Sequence, residues 1–378
     1  MSKKHIIIYT LLRPLFAVFL YIKFGYKFKV AKKLPEKYIV LSNHNTDFDP
    51  LFVAMSFPRQ MYFVASEHIA RWKNAYKFIK FALSPITRYK GAPANAAVIE
   101  VIRRIRKGAN VCIFAEGVRS WDGVTCPILP STAKLIKSAG CGLVTYKITG
   151  GYFASPMWSG ASSRRGSVYG SPVSVYTKEQ IDGMSVDEIY SVITSDLYED
   201  AYARQAESPK RYKGKRLAEK LENLMFVCPS CGKIDTLASS GDTVFCSSCS
   251  HRFKYDEYGM LCGTRFKNLK EFSDWQKEET EKFVLKGEVL TAPLAKLQTV
   301  KNHTETPITE GTLSISPEMI TCGNTEIRLR DISDMAMHGQ KAIVFTVGKT
   351  YYELLVKDGV NALKFLIYYE FAKNLVTT

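Results

Sequence analysis

The segment Lys37–Pro50 reads KYIVLSNHNTDFDP, a short apolar run that breaks into a polar cluster holding Asn43, His44, Asp47 and Asp49. An apolar run of that length is a buried strand rather than a helix. A strand that buries its whole length and then turns polar carries its polar end to the rim of a sheet. The pattern recurs: Asn110–Ala115 is apolar and breaks at Glu116, Gly117, Val118, Arg119 and Ser120, and Leu143–Ile148 is a further strand before the Gly150-Gly151 turn. Helical segments alternate with these. Asp49-Pro50 before LFVAMSF predicts a helix with Asp49 at the N-cap and Pro50 at the first turn. Met61–Ala65 predicts a strand, Ile69–Phe81 a helix carrying Arg71, Lys73, Lys77 and Lys80, and Ser84–Arg88 a short extended segment ending in an arginine. Ala94–Lys107 has helical periodicity with Val98, Val101, Ile102 and Ile105 on one face, and Lys134–Ala139 is helical. Alternation of this kind specifies an α/β core, in which sites gather at strand ends.

Length and charge bound the partners. At 378 residues the chain exceeds one compact domain, and its formal charge of +16 calls for an anionic partner. Residues 1–33 hold eight Lys or Arg and no acid, interleaved with apolar and aromatic side chains, a pairing that suits a membrane surface better than nucleic acid. His5–Phe28 is apolar enough to cross a bilayer, but Arg13 and Pro14 interrupt it and Lys23 closes it. A central Arg costs about 2.5–3.5 kcal/mol in a membrane, and Pro removes a helical hydrogen bond. The expectation is therefore two short helices lying in, or dipping into, one leaflet, with a helix packed on the domain core as the alternative. No small-residue cleavage site follows, which argues against a removed signal peptide.

From Val173 the pattern turns helical and polar through Asp187–Arg204, and Ser208–Glu222 reads as a charged linking stretch. Cys228-Pro-Ser-Cys231 and Cys246-Ser-Ser-Cys249 form two CxxC pairs separated by fourteen residues. Such knuckles place four thiolates tetrahedrally around Zn²⁺ with no open position, a structural metal. The other cysteines, Cys112, Cys126, Cys141, Cys262 and Cys322, are scattered, as in a reducing compartment. Asn268–Lys286 is a charged helix. The tail alternates short strands, Thr312–Ile315, Ile327–Leu329, Ile343–Val347 and Tyr352–Val356, before a helix over Asn361–Leu375 with Leu363, Leu366, Ile367 and Phe371 spaced for one face. By analogy this is a β-rich, pleckstrin-homology-like small barrel closed by a helix.

A neutral imidazole takes a proton from an alcohol when a carboxylate fixes its tautomer and steadies the imidazolium. His44 and Asp49 are candidates for that pair. No GxSxG motif is present, so direct transfer without an acyl-enzyme is the simpler scheme. In Glu116-Gly117-Val118-Arg119-Ser120 the glycine permits close backbone approach, the arginine forks onto a phosphate, and the glutamate orients that arginine or binds a hydroxyl.

At these residues the sequence resembles a known family. NHNTDFD is similar to the Asn-His-x-x-x-x-Asp block of the glycerolipid acyltransferases, the 1-acylglycerol-3-phosphate acyltransferase family, and FAEGVRS resembles their Phe-Pro-Glu-Gly-Thr-Arg-Ser block, in matching order. Pro85-Ile86-Thr87-Arg88 is similar to their second block, and Leu143–Ile148 falls where their fourth lies. Ala115 and Val118 stand where the family has Pro and Thr, and LVTYKI lacks the fourth block's proline. The resemblance covers roughly residues 5–205. It implies transfer of a fatty acyl group from a thioester of coenzyme A or acyl carrier protein to a lysophospholipid, 1-acylglycerol-3-phosphate above all. His44 would be the base and Asp49 its partner, while Arg88, Glu116, Gly117, Arg119 and Ser120 would bind the acceptor. The domain division is then 1–28 for the membrane-associating helices, 29–207 for the acyltransferase domain, 208–225 for a linker, 226–258 for a zinc ribbon, and 259–378 for a helix with the β-rich domain.

The partners expected are a lysophospholipid, an acyl donor that includes acyl carrier protein, and an anionic membrane surface at the cytoplasmic face of the cell membrane, held peripherally or monotopically. A basic zinc-ribbon protein bound to nucleic acid is the competing reading, and an inactive membrane scaffold a third. The densest basic run is woven into aromatic residues and the ribbon is not notably basic, so nucleic acid is not expected.

Overall fold

The computed structural model describes residues 3–67, 69, 73–88, 95–160, 162–301 and 304–377. They form two compact units, one running to Gly214 and one built from Lys215 onward together with Trp158–Gly160. The boundary falls within the stretch read as a linker, and Leu217, Ala218, Leu221 and Leu224 of that stretch are buried in the second unit.

The first unit contains strands β1 (Lys27–Phe28), β2 (Tyr38–Ser42), β3 (Met61–Ser66), β4 (Ile86–Arg88), β5 (Asn110–Phe114), β6 (Gly142–Thr149) and β7 (Tyr169–Tyr176). Its helices are α1 (Lys3–Phe24), α2 (Asp49–Ser56), α3 (Lys73–Leu83), α4 (Asn95–Arg106), α5 (Ser131–Ala139), α6 (Gly151–Ala154), α7 (Lys178–Gly183), α8 (Val186–Leu197) and α9 (Ala201–Glu207). The sheet order is β1-β7-β6-β2-β5-β3-β4. β2 lies between β6 and β5 and is parallel to both, and β3 and β4 continue the parallel run. Every residue of β2 is buried, as its unbroken apolar run requires. Burying side chains such as Ile39, Val40 and Leu41 contributes about 1.5–3 kcal/mol each. Ile39 and Leu41 join a cluster with Val101 and Ile105 of α4, Ile136 of α5 and Ile193 of α8. Tyr38, one residue out of phase, meets Phe57 just after α2 on the other face. The parallel strands therefore end together, and β2, β4 and β5 deliver His44, Arg88 and Glu116 to one rim.

Three expectations are corrected here. α1 is a single helix with Pro14 inside it rather than two short ones. Arg13, read as an uncompensated break in the apolar segment, donates through Nε and Nη2 to the Met55 carbonyl at 3.1 and 2.6 Å, while Tyr9 one turn earlier donates to the Ala54 and Phe57 carbonyls. Both satisfy carbonyls at the C-terminal end of α2, where a cation is favoured. Val173 lies in a strand, because β7 pairs antiparallel with β6 through a register shift opposite Val144 and Tyr146. Helix α3 is seen over Lys73–Leu83, and Arg71 of the expected helix lies outside the described residues.

The second unit holds β8 (Leu237–Ser240), β9 (Thr243–Cys246), β10 (Arg252–Tyr255) and β11 (Leu261–Cys262) as a small antiparallel sheet, followed by α10 (Leu269–Leu285). Then come β12 (Leu290–Lys301), β13 (Thr304–Ile315), β14 (Met319–Cys322), β15 (Thr325–Arg328), β16 (Ile332–His338), β17 (Ala342–Val347), β18 (Thr350–Val356) and α11 (Leu363–Thr377). The strands form an antiparallel sheet in the order β15-β14-β13-β12-β18-β17-β16. The one-faced pattern expected for α11 is not observed. Phe365, Ile367, Tyr368, Tyr369 and Ala372 are buried while Leu366 and Phe371 are only half-buried, since the helix packs on both the sheet and α10.

Candidate functional site

His44 leaves the end of β2 with its ring stacked on Phe114, the last residue of β5, at 4.4 Å between centroids. Its Nδ1 is 2.8 Å from Asp49 Oδ2. Asp49 is fully buried, and its charge is met by a dense donor set: Oδ2 also accepts from the Asn45 and Thr46 amides at 2.6 and 2.9 Å, and Oδ1 from the Thr46 hydroxyl at 2.8 Å. A buried carboxylate is stable only when so satisfied. Asp49 does not cap its own helix, as the sequence suggested. Phe48 is the N-cap residue without a side-chain bond, and Asp49 is the first helical residue. Folding back over the turn gives the carboxylate two amides, a hydroxyl and the imidazole, more than the helix end offers.

Asn43 locks the other side of His44. Its amide donates to the Ile148 carbonyl and accepts from the Ile148 N–H, both at 2.8 Å, in place of the next rung between β2 and β6. Thr46 holds the turn by donating to Asp49 and accepting from the Phe48 N–H. Asn43 stood in the polar cluster of the sequence without an assigned role, and Thr46 did not stand out, although it lies three before Asp49, the spacing of a hydroxyl with a helix-start acid.

The EGVRS turn divides into two roles. Glu116 is buried, its Oε1 accepting from the His44 N–H and its Oε2 from the Cys126 N–H, each at 2.6 Å. Burial pushes its carboxyl up to about 8, against the opposing pull of these two amides. Ser120 is buried, accepts at Oγ from the Gly123 N–H and donates its own N–H to the His44 carbonyl. Glu116 and Ser120 therefore fix the loop that carries His44, and no carboxylate oxygen of Glu116 is turned on Arg119 as the sequence had suggested.

Arg119 and Arg88 are placed differently. Arg119 pairs through Nη1 with Asp47 Oδ2 at 2.7 Å, its own side chain 18% exposed and that of Asp47 74% exposed. Arg88 reaches from β4, two strands beyond β5, to Gly117: a Cβ built there would lie 3.3 Å from Arg88 Nη1. Gly117 also has φ +70°, so a side chain would be both strained and crowded. The Arg88 Nε is buried without a hydrogen-bond partner, a donor in want of an acceptor. Thus an imidazole, a buried carboxylate and two guanidinium groups are brought to one rim.

Residues 26–149, which contain all of these groups, match the family model described as Acyltransferase. The chain carries an acyltransferase domain of that family. No curated protein matches the chain. Among solved structures it is similar to the 1-acyl-sn-glycerophosphate acyltransferase PlsC of Thermotoga maritima, with 16% identity, a TM-score of 0.41, and coverage of 50% of this chain and 78% of that one. It is also similar to the C-terminal domain of an unknown protein from Leishmania infantum, with 12% identity, a TM-score of 0.16, and coverage of 26% and 97%. At these values neither likeness carries an argument.

In the second unit Cys228, Cys231, Cys246 and Cys249 bring their sulfurs within 4.8 Å of one another. The Cys228–Cys249 and Cys231–Cys246 sulfurs are 3.7 and 3.9 Å apart, far beyond a disulfide bond. Four sulfurs placed tetrahedrally about 2.3 Å from one zinc would be about 3.8 Å apart. The donor set and its spacing fit that ion.

Proposed function

We propose that the acyltransferase domain moves a fatty acyl group from a thioester of coenzyme A or acyl carrier protein to a hydroxyl of a lysophospholipid, 1-acylglycerol-3-phosphate first. The observation that carries this reading is the 2.8 Å bond between His44 Nδ1 and the buried Asp49 carboxylate. With Nδ1 held by Asp49, Nε2 is the ring nitrogen that takes the acceptor's hydroxyl proton. The oxygen attacks the thioester carbonyl, the tetrahedral intermediate collapses with cleavage of the C–S bond, and the departing thiolate recovers the proton from the imidazolium. One ester forms, one thioester breaks, and His44 returns to neutral. Arg119 and Arg88 hold the acceptor's phosphate over Gly117, where the missing side chain allows close approach. Glu116 and Ser120, expected to touch the acceptor, act instead as positioning residues for the His44 loop.

Two further features support a lipid substrate. An apolar cavity of about 60 Å³ between α1 and α2, lined by Leu12, Phe16, Leu51, Met55, Phe63 and Leu83, also touches Pro50, next to Asp49, and would take no more than a short stretch of acyl chain without widening. On α1, Ile7, Leu11, Leu15, Val18 and Ile22 are 58–67% exposed along one stripe. At 22 residues this is the helix, among those described, long and apolar enough to cross a membrane, but its other face is anchored on α2. The helix is read as resting in one leaflet of an anionic membrane, at its cytoplasmic face. The four thiolates hold a structural Zn²⁺ that pins β8–β11, and the pleckstrin-homology-like reading of β12–β18 with α11 rests on the strand order and the closing helix.

The test is turnover by the full chain in mixed micelles, with a panel of lysophospholipid acceptors, both thioester donors, and products identified by mass. His44→Ala should lower kcat by about 10²–10⁴ while leaving the fold intact. Unchanged turnover in that variant removes the assignment of the base.

A further inference from the structure

The Arg119–Asp47 pair is unlike the other contacts at the rim. Arg119 is the more enclosed partner, and Asp47 is a largely exposed carboxylate on the loop between His44 and Asp49. Among the described contacts Asp47 holds no backbone amide and caps no helix; its one described partner is the guanidinium assigned to the acceptor's phosphate. Asp49, two residues on, is fully buried and held by two amides and a hydroxyl, so the loop's shape does not depend on the Asp47 charge. A carboxylate and a phosphate oxygen compete for the same fork of N–H donors.

We propose that Asp47 is a built-in competitor for the acceptor's phosphate, occupying Arg119 in the free protein and leaving it when a phosphomonoester arrives. The proposal rests on the acceptor reading of Arg119 given above. Only molecules whose Arg119 is released are competent, so affinity is reduced by the competent fraction. The reduction falls on ligands that use Arg119 and spares acceptors without a phosphate. Asp47 thereby sets how strongly an anion must bind to enter. An exposed pair of this kind is worth little, at most about 1 kcal/mol, so the effect on affinity is about two- to fivefold. It is also screened by salt, within a Debye length of about 10 Å at 0.1 M.

The experiment compares wild type, Asp47→Asn, Arg119→Gln and the double variant, all as the full chain. Equilibrium binding of a short-chain 1-acylglycerol 3-phosphate is measured beside steady-state KM and kcat for that acceptor and for a monoacylglycerol. Asp47→Asn should tighten phosphate binding and lower KM by two- to fivefold, less at 0.5 M salt, with kcat moving far less and the monoacylglycerol KM unchanged. In the Arg119→Gln background the same substitution should have no effect. A raised or unchanged dissociation constant overturns the proposal, as does an equal change for the monoacylglycerol. If no acceptor turns over yet Asp47→Asn still binds the phosphate more tightly, the acyl-transfer reading fails and the competitor stands; turnover with unaltered affinity refutes the competitor alone.

Discussion

Replacing Asp49 by Asn separates charge from shape. An asparagine can place its Oδ1 where Asp49 Oδ2 sits, still accepting from His44 Nδ1 and from the Asn45 and Thr46 amides, while its NH₂ donates to the Thr46 hydroxyl in place of the 2.8 Å bond now running the other way. The tautomer and the turn survive, and the carboxylate's attraction for the imidazolium is lost. With Nδ1 and Oδ2 at 2.8 Å the charge centres are about 4 Å apart, which at an effective dielectric of about 20 gives about 4 kcal/mol, or about three decades in rate. The His44 side chain is 20% exposed, and water on that side trims the effect to about 10²–10³. The assay is steady-state product formation by mass, with donor and acceptor varied separately and folding followed by circular dichroism. A drop of that size in kcat with both KM values within about threefold is the expected outcome. A folded Asp49→Asn enzyme with kcat within threefold of wild type would falsify the electrostatic role given to Asp49.

Glu116→Gln turns an amide NH₂ toward one of the two N–H groups that Glu116 now accepts, which should destabilise the chain by about 1–3 kcal/mol and lower kcat through the His44 loop. Because burial raises the Glu116 carboxyl from 4.5 to about 8, the folded chain holds that proton where the unfolded chain has released it. Its contribution is complete below pH 4.5 and declines to pH 8, so the stability of wild type relative to Glu116→Gln in urea titrations should shrink across that window; a gap that widens refutes the shift. Metal analysis should find one zinc per chain and none in Cys231→Ser/Cys249→Ser, whose residues 226–262 should then become sensitive to protease; full zinc content in the double variant removes the site. Leu11→Glu/Leu15→Glu places two charges on the exposed stripe of α1 and should abolish sedimentation with anionic vesicles without unfolding the chain, whereas retained binding shows that another surface makes the contact.

The sequence determined the elements whose apolar runs are short and buried. Tyr38–Ser42, Asn110–Phe114 and Gly142–Thr149 were legible because a central strand is largely apolar on both faces, the first two stopping at a polar cluster and the third at a glycine turn. The four thiols were equally legible, since two CxxC knuckles need only a local turn apiece to present their ligands. His44 and Asp49 lie within one loop, but their spacing by itself was ambiguous and gained weight only beside the EGVRS turn. What depended on residues distant in the chain was decided by the tertiary structure. Arg13 in an apolar helix looks like a membrane penalty until the Met55 carbonyl is beside it. Val173 pairs as a strand only because β6 offers an edge. The same EGVRS residues read as a single anion-binding turn, but folding sends Glu116 and Ser120 inward to backbone amides and Arg119 outward to Asp47. Local pattern specifies which residues can be buried; which donor meets which acceptor across the chain depends on strand order, and that order is fixed only when the sheet closes around β2.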